Sequence, residues 1–134
     1  MRRARVFLAD DNEEILQRVA QVLASEFDVV GTVLDGQALL DAVARLEPDV
    51  VVLDIAMPVL KGLEAAEGLH QSGSSTKIVF LTVNTNREVV RAALETDAMG
   101  YVVKAHLSKD LVPAIKAALA GVGYVSPSVL ESKE

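Results

Sequence analysis

Four short apolar runs, Val6-Phe7-Leu8-Ala9, Val50-Val51-Val52-Leu53, Ile78-Val79-Phe80-Leu81 and Tyr101-Val102-Val103, show no alternation of polar and apolar positions. Strands covered on both faces read this way, because a parallel sheet wrapped by helices has no wet face. A fifth run, Val29-Val30-Gly31-Thr32-Val33, is interrupted by glycine and threonine and suits a sheet edge. Between the runs, apolar residues recur at helical spacing. Ile15, Leu16, Val19, Val22 and Leu23 mark a first helix, which opens on Asn12-Glu13-Glu14, acids well placed at an N-terminus. Ala38, Leu39, Ala42, Val43 and Leu46 mark a second, which Pro48 ends. Leu63, Ala66 and Leu69 give a third, and Val89, Val90, Ala93 and Leu94 a fourth. Leu111, Ile115, Ala118 and Leu119 give a fifth, with Ser108 as N-cap and Gly121 as stop. Pro113 then implies that this helix starts just before it or is bent in its first turn. Five strands alternating with five helices through short connections predict a three-layer α/β sandwich.

The 134 residues fit one domain. The expected division is a folded unit over 1–121 and a linker or tail over 122–134, because Gly121-Val122-Gly123-Tyr124-Val125-Ser126-Pro127-Ser128 reads as a departing segment and Glu131-Ser132-Lys133-Glu134 as a frayed end. A net charge of −6 disfavours direct nucleic-acid binding by this chain. No apolar stretch approaches a membrane span. Arg2-Arg3 before Val6 is not read as an export signal, since the apolar part is short and runs straight into acids. The absence of cysteine removes disulfides, thiol chemistry and cysteine zinc sites, and suits a reducing cytoplasm. His70 and His106 lack partners at metal-ligand spacing and read as solvated surface residues.

Candidate chemistry lies where the apolar runs stop. Asp10 and Asp11 close the first, Asp54 the second, Thr82 the third and Lys104 the fourth. The carboxyl ends of parallel strands are where an open α/β sheet presents ligand-binding groups. Three carboxylates in one crevice repel each other, so either one keeps a proton or a cation sits among them. All-oxygen ligands select a hard ion such as Mg²⁺, with Mn²⁺ as a substitute. A metal, a lysine and a threonine hydroxyl around a free carboxylate suit phosphoryl transfer onto that carboxylate. Taken singly, each acid reads equally well as a helix cap or half of a structural ion pair. Asp11 or Asn12 serves as such a cap.

The combination Leu8-Ala9-Asp10-Asp11-Asn12, Pro48-Asp49-Val50-Val51-Val52-Leu53-Asp54-Ile55-Ala56-Met57-Pro58 with Gly62, Leu81-Thr82, and Gly100-Tyr101-Val102-Val103-Lys104 resembles the receiver domain of bacterial two-component response regulators. The resemblance implies a CheY-like, flavodoxin-like doubly wound fold, with a five-stranded parallel sheet in the order 2-1-3-4-5. It implies Asp54 as phosphoacceptor for a sensor histidine kinase, and Asp11, Asp54 and the backbone carbonyl of Ala56 as Mg²⁺ ligands, with Asp10 acting through water. Lys104 would meet the phosphoryl group, Thr82 would swing toward it, and Tyr101 would follow inward. The implied mechanism is a population shift read out on the fourth helix, fifth strand and fifth helix. Gly123-Tyr124-Val125-Ser126-Pro127 is similar to the NarL/FixJ class, in which this stretch leads to a LuxR-type helix-turn-helix. That implies a cytoplasmic transcription regulator, with homodimerisation on phosphorylation as one route of control. The alternative is a stand-alone receiver acting by protein–protein interaction or phosphorelay.

Departures from the family pattern carry their own expectations. Val83 follows Thr82 where a smaller residue is usual and narrows access. Ala105 replaces a frequent proline, without which a cis bond would cost about 3–4 kcal/mol. Ala56 and Asn84, two past Asp54 and Thr82, offer no acid or base to activate water, so self-dephosphorylation is expected to be slow to moderate, with no turnover of other substrates. A haloacid-dehalogenase-type enzyme would need an acid at Ala56. A flavin binder would need hydroxyls and glycine where Asp10-Asp11-Asn12-Glu13-Glu14 stand, and a nucleotide hydrolase would need G-x-x-x-x-G-K-[ST]. A degenerate receiver would have lost the acceptor or the lysine, and both are present.

Overall fold

The computed structural model describes residues 3–57, 61–83, 86–96 and 98–127. Strands β1 (Arg5–Ala9), β2 (Asp28–Val33), β3 (Val50–Leu53), β4 (Lys77–Thr82), β5 (Gly100–Val103) and β6 (Tyr124–Val125) alternate with helices α1 (Glu13–Leu23), α2 (Gly36–Leu46), α3 (Gly62–Gln71), α4 (Arg87–Leu94) and α5 (Leu107–Leu119). The sheet is parallel throughout, in the order β2-β1-β3-β4-β5-β6. The expected five strands are therefore six. The stretch expected to leave as a linker pairs instead with β5, Gly100 opposite Tyr124 and Tyr101 opposite Val125.

Successive strand residues point to opposite faces, and each face has its own core. Phe7, Val51, Leu53, Phe80, Tyr101 and Val103 pack with α2, α3 and α4, whereas Val6, Leu8, Val52, Val79, Leu81 and Val102 pack with α1 and α5. Both sets are buried, which is why the runs show no alternation. β2 lies at an edge as expected, with a register shift opposite Val6 and Phe7. A Cβ on Gly31 would stand 2.6 Å from the Phe7 ring, so the glycine that interrupts this run makes room for a core aromatic.

Helix ends follow local chemistry. Asn12, not Asp11, caps α1, its side chain accepting from the Glu14 and Ile15 amides. Asp35 caps α2 through the Ala38 amide, and Glu47 in a left-handed conformation ends it before Pro48. The fifth helix departs from expectation twice. Ser108 is not its N-cap, because a 3₁₀ turn, Lys104–His106, feeds directly into the helix at Leu107. Pro113 lies inside α5, on an exposed position, where water can serve the carbonyl its missing N–H would have met. Leu94 and Leu119, expected on buried faces, are 46% and 40% exposed. His70 and His106 are exposed, as expected. No helix among the described residues is long and apolar enough to cross a membrane. Residues 131–134, expected to be a frayed tail, lie outside the described residues, as do Pro58 and Asn84.

Candidate functional site

Because every strand runs the same way, the residues that close the apolar runs meet at one edge of the sheet. Register does the rest. Ala9 pairs with Leu53, and the Asp54 amide donates to the Ala9 carbonyl at 3.0 Å, so Asp10 and Asp54 leave adjacent strands side by side. Thr82 and Val103 pair likewise, so Lys104 emerges next to Thr82. Carboxylate oxygens of Asp10, Asp11 and Asp54 lie within 4.8 Å of one another. Asp10, Asp54 and Thr82 are buried, and Asp11 is exposed.

The Lys104 ammonium bridges two of the acids. It lies 2.7 Å from Asp10 Oδ2 and 3.3 Å from Asp54 Oδ2. Burial works against its charge, but the contact with Asp10 and the charge of Asp54 outweigh it and push the ammonium above its ordinary value. The acids gain less. The Ala56 amide donates to Asp54 Oδ1 at 3.3 Å, a long bond. Burial foremost, then the neighbouring Asp10 carboxylate, raise the Asp54 carboxyl above the usual range, against the pull of Lys104 and the Ala56 amide. Asp10 Oδ1 accepts from the Asn12 amide at 2.9 Å. Its Oδ2 is buried with no aligned hydrogen bond, and its contact with Lys104 is that of an ion pair.

One lysine among three carboxylates leaves negative charge uncompensated, and Asp10 Oδ2, met only by the shared ammonium, keeps a lone pair that an ion could use. The donors are all oxygen, which fits a hard divalent cation such as Mg²⁺. Ala56 is exposed beside the acids. Tyr101, fully buried on the α4 side of the sheet, has its hydroxyl pushed up to about 12, by burial and then by the charge of Asp54. Val83, next to buried Thr82, is 75% exposed. The Lys104–Ala105 peptide is trans, like every peptide bond among the described residues.

Gly62 was visible in the motif but not its purpose. A Cβ there would fall 2.0 Å from the Asp54 carbonyl oxygen and 2.6 Å from Ile55 Cα. Its amide donates to the Ile55 carbonyl at 2.8 Å. Helix α3 is thus seated directly on the backbone of Asp54, and only glycine permits that approach. Ile55 and Met57, which follow Asp54, are themselves buried.

Residues 6–116 match the family described as the response regulator receiver domain. The uncharacterised transcriptional regulatory protein YvfU of Bacillus subtilis strain 168 is 35% identical over 127 residues, which cover 93% of this chain and 64% of that regulator. A LuxR-family two-component response regulator from Aurantimonas sp. SI85-9A1 superposes with a TM-score of 0.91 at 28% identity, covering 96% of this chain and 94% of that one. The isolated receiver domain of RcsB from Salmonella enterica serovar Typhimurium, solved with the phosphomimetic BeF3⁻, gives 0.89 at 28% identity, covering 96% and 97%. The chain spans between about half and two thirds of the first curated relatives it matches, 64% of YvfU and 54% of DegU from Brevibacillus brevis.

Proposed function

This chain belongs to the response regulator receiver domain family of two-component signal transduction, and from that premise we infer that Asp54 is its phosphoacceptor. The observation that carries the reading is the placement of Asp54 Oδ2 at 3.3 Å from Lys104, inside a cluster with Asp10 and Asp11. An Asp54 oxygen attacks the phosphorus of a phosphohistidine on a sensor kinase. A P–O bond forms as the P–N bond breaks, and the imidazole leaves. Lys104 faces the incoming phosphoryl oxygens, and Thr82 supplies a hydroxyl at the adjacent strand end. Asp11, Asp54 and the Ala56 carbonyl would hold Mg²⁺, with Asp10 acting through water. When bound, the ion neutralises carboxylate and phosphoryl oxygens.

Lys104 must exchange carboxylate partners for phosphoryl oxygens, and that exchange biases β5 and Tyr101, which packs toward α4. The exposed methyl of Ala56 cannot activate water, which supports a slow to moderate loss of the phosphoryl group. No chemistry on other substrates is proposed. Similarity to transcriptional regulators supports a cytoplasmic output through a LuxR-type helix-turn-helix module, with homodimerisation on phosphorylation, rather than a stand-alone phosphorelay receiver.

Intact mass after incubation with acetyl phosphate tests the acceptor. One phosphoryl group is expected with Mg²⁺, none without it, and none on Asp54→Asn. Labelling of Asp54→Asn to the wild-type extent would remove Asp54 from the role.

A further inference from the structure

Behind β5 lies a polar network that the acceptor chemistry does not use. Asp110, on the sheet-facing stripe of α5, is 2% exposed. Its Oδ2 accepts from the Ser126 hydroxyl at 3.0 Å, and its Oδ1 accepts from the Tyr124 hydroxyl at 3.1 Å. Ser126 is wholly buried, and its Oγ accepts the Val103 backbone N–H at 3.1 Å. The Ser126 amide donates to the Tyr101 carbonyl at 2.8 Å. The hydroxyl therefore spends its one proton on Asp110 and a lone pair on β5. Val103 immediately precedes Lys104. The strand end that delivers Lys104 is thus tethered from one side by Ser126, while its ammonium rests on Asp10 and Asp54.

A long, flexible lysine is placed only as well as the backbone that carries it. Without Ser126, the Val103 amide loses its partner and the turn Lys104–His106 loses its fixed origin. We propose that Ser126, oriented by Asp110, is a positioning residue for Lys104. Docking of residues 124–126 on β5 and seating of Lys104 at Asp54 are then one equilibrium. The proposal rests on Asp54 as phosphoacceptor. Linkage makes it reciprocal: a phosphoryl-like group that holds Lys104 must tighten the docked segment by the factor with which the docked segment tightens that group. The state of the site reaches the chain beyond Ser126 through one strand end.

The test uses the intact chain, Mg²⁺ and beryllofluoride. Amide exchange at Val103 and Ser126 is followed by NMR with and without beryllofluoride, and beryllofluoride affinity is compared between wild type and Ser126→Ala. Slower exchange at both amides is expected, with affinity weakened about fivefold in the variant. Affinity for Mg²⁺ alone should not fall, because Lys104 competes with the ion for Asp10 and Asp54 rather than ligating it, whereas a general loss of structure would weaken it. Beryllofluoride that binds while both amides exchange as before would overturn the positioning role and leave the acceptor reading intact. No binding to the wild type would remove the premise, and the proposal with it. Should Ser126→Ala fail to fold, the wild-type exchange comparison decides alone.

Discussion

Asp54 and Asp110 are both buried aspartates, and their surroundings differ in kind. Asp110 meets two hydroxyl donors, one on each oxygen, at 3.0 and 3.1 Å. Asp54 shares a lysine with a second carboxylate and accepts one long amide bond, so burial and Asp10 hold its carboxyl above the usual range. A buried acid whose lone pairs are met by neutral donors fixes geometry. One crowded by like charge and half met by donors holds free energy that a cation or a phosphoryl group can release. A short chain of contacts joins them: Asp110 to Ser126, Ser126 to Val103, and the next residue, Lys104, to Asp54.

The largest expected effect tests whether the Asp54 backbone is held as described. Gly62→Val must push α3 off the Asp54 carbonyl, and should cost more than about 3 kcal/mol in urea unfolding. A loss within about 1 kcal/mol would mean that α3 is not seated there. Next, one substitution at both acids should give opposite signs. Asp110→Ala orphans the buried Ser126 hydroxyl and should cost about 2 kcal/mol. Asp54→Ala, without Mg²⁺ at neutral pH, should raise the melting temperature by about 4 °C. If the proposed metal site holds, excess Mg²⁺ should then reverse the order, because it would stabilise the wild type by binding the folded state and would lose a ligand in the variant.

The pH dependence sharpens the same contrast. The folded state holds the Asp54 proton to a higher pH than the unfolded chain does, whose ordinary value is 3.8. Between that value and the raised one, folded molecules bind more protons, so metal-free stability falls as pH rises. Chemical denaturation across that range should show this fall in the wild type and lose it in Asp54→Ala. The smallest effect concerns Tyr101. Its hydroxyl is favoured by the fold, so its contribution is complete below 10.0 and is lost as pH rises through about 12. Difference absorbance should place the phenol titration near 12 on Tyr101, lost in Tyr101→Phe while the raised Tyr124 titration remains, and slightly earlier in Asp54→Ala.

The interior strands were legible because burial on both faces leaves its mark on every residue. Asp10, Asp11, Asp54 and Lys104 were legible because each interrupts such a run, and the structure brings them within ion-pair or ligand distance. β6 was not. It is two residues long, between Gly123 and Ser126-Pro127, and its partner acid sits in a helix fourteen positions earlier in sequence. A signal existed all the same: Asp110 falls on the same helical face as Leu107, Leu111, Ala114 and Ala118, where a charge requires buried partners. Ser108 misled because its type suits a cap, whereas a preceding 3₁₀ turn already met that need. Gly62 could be seen but not interpreted, since close approach of two backbones leaves no trace in composition.

The pairing of β6 bears on how such a module is cut and joined. A chimera spliced at Gly121, the natural-looking stop of α5, would discard the partners of the Tyr101 carbonyl and the Val103 amide. It would also leave β5 as a bare apolar edge, open to pairing with a neighbouring chain. Carrying the junction past Ser126 keeps that edge covered, so the placement of the splice should decide whether the fused chain exposes a pairing edge.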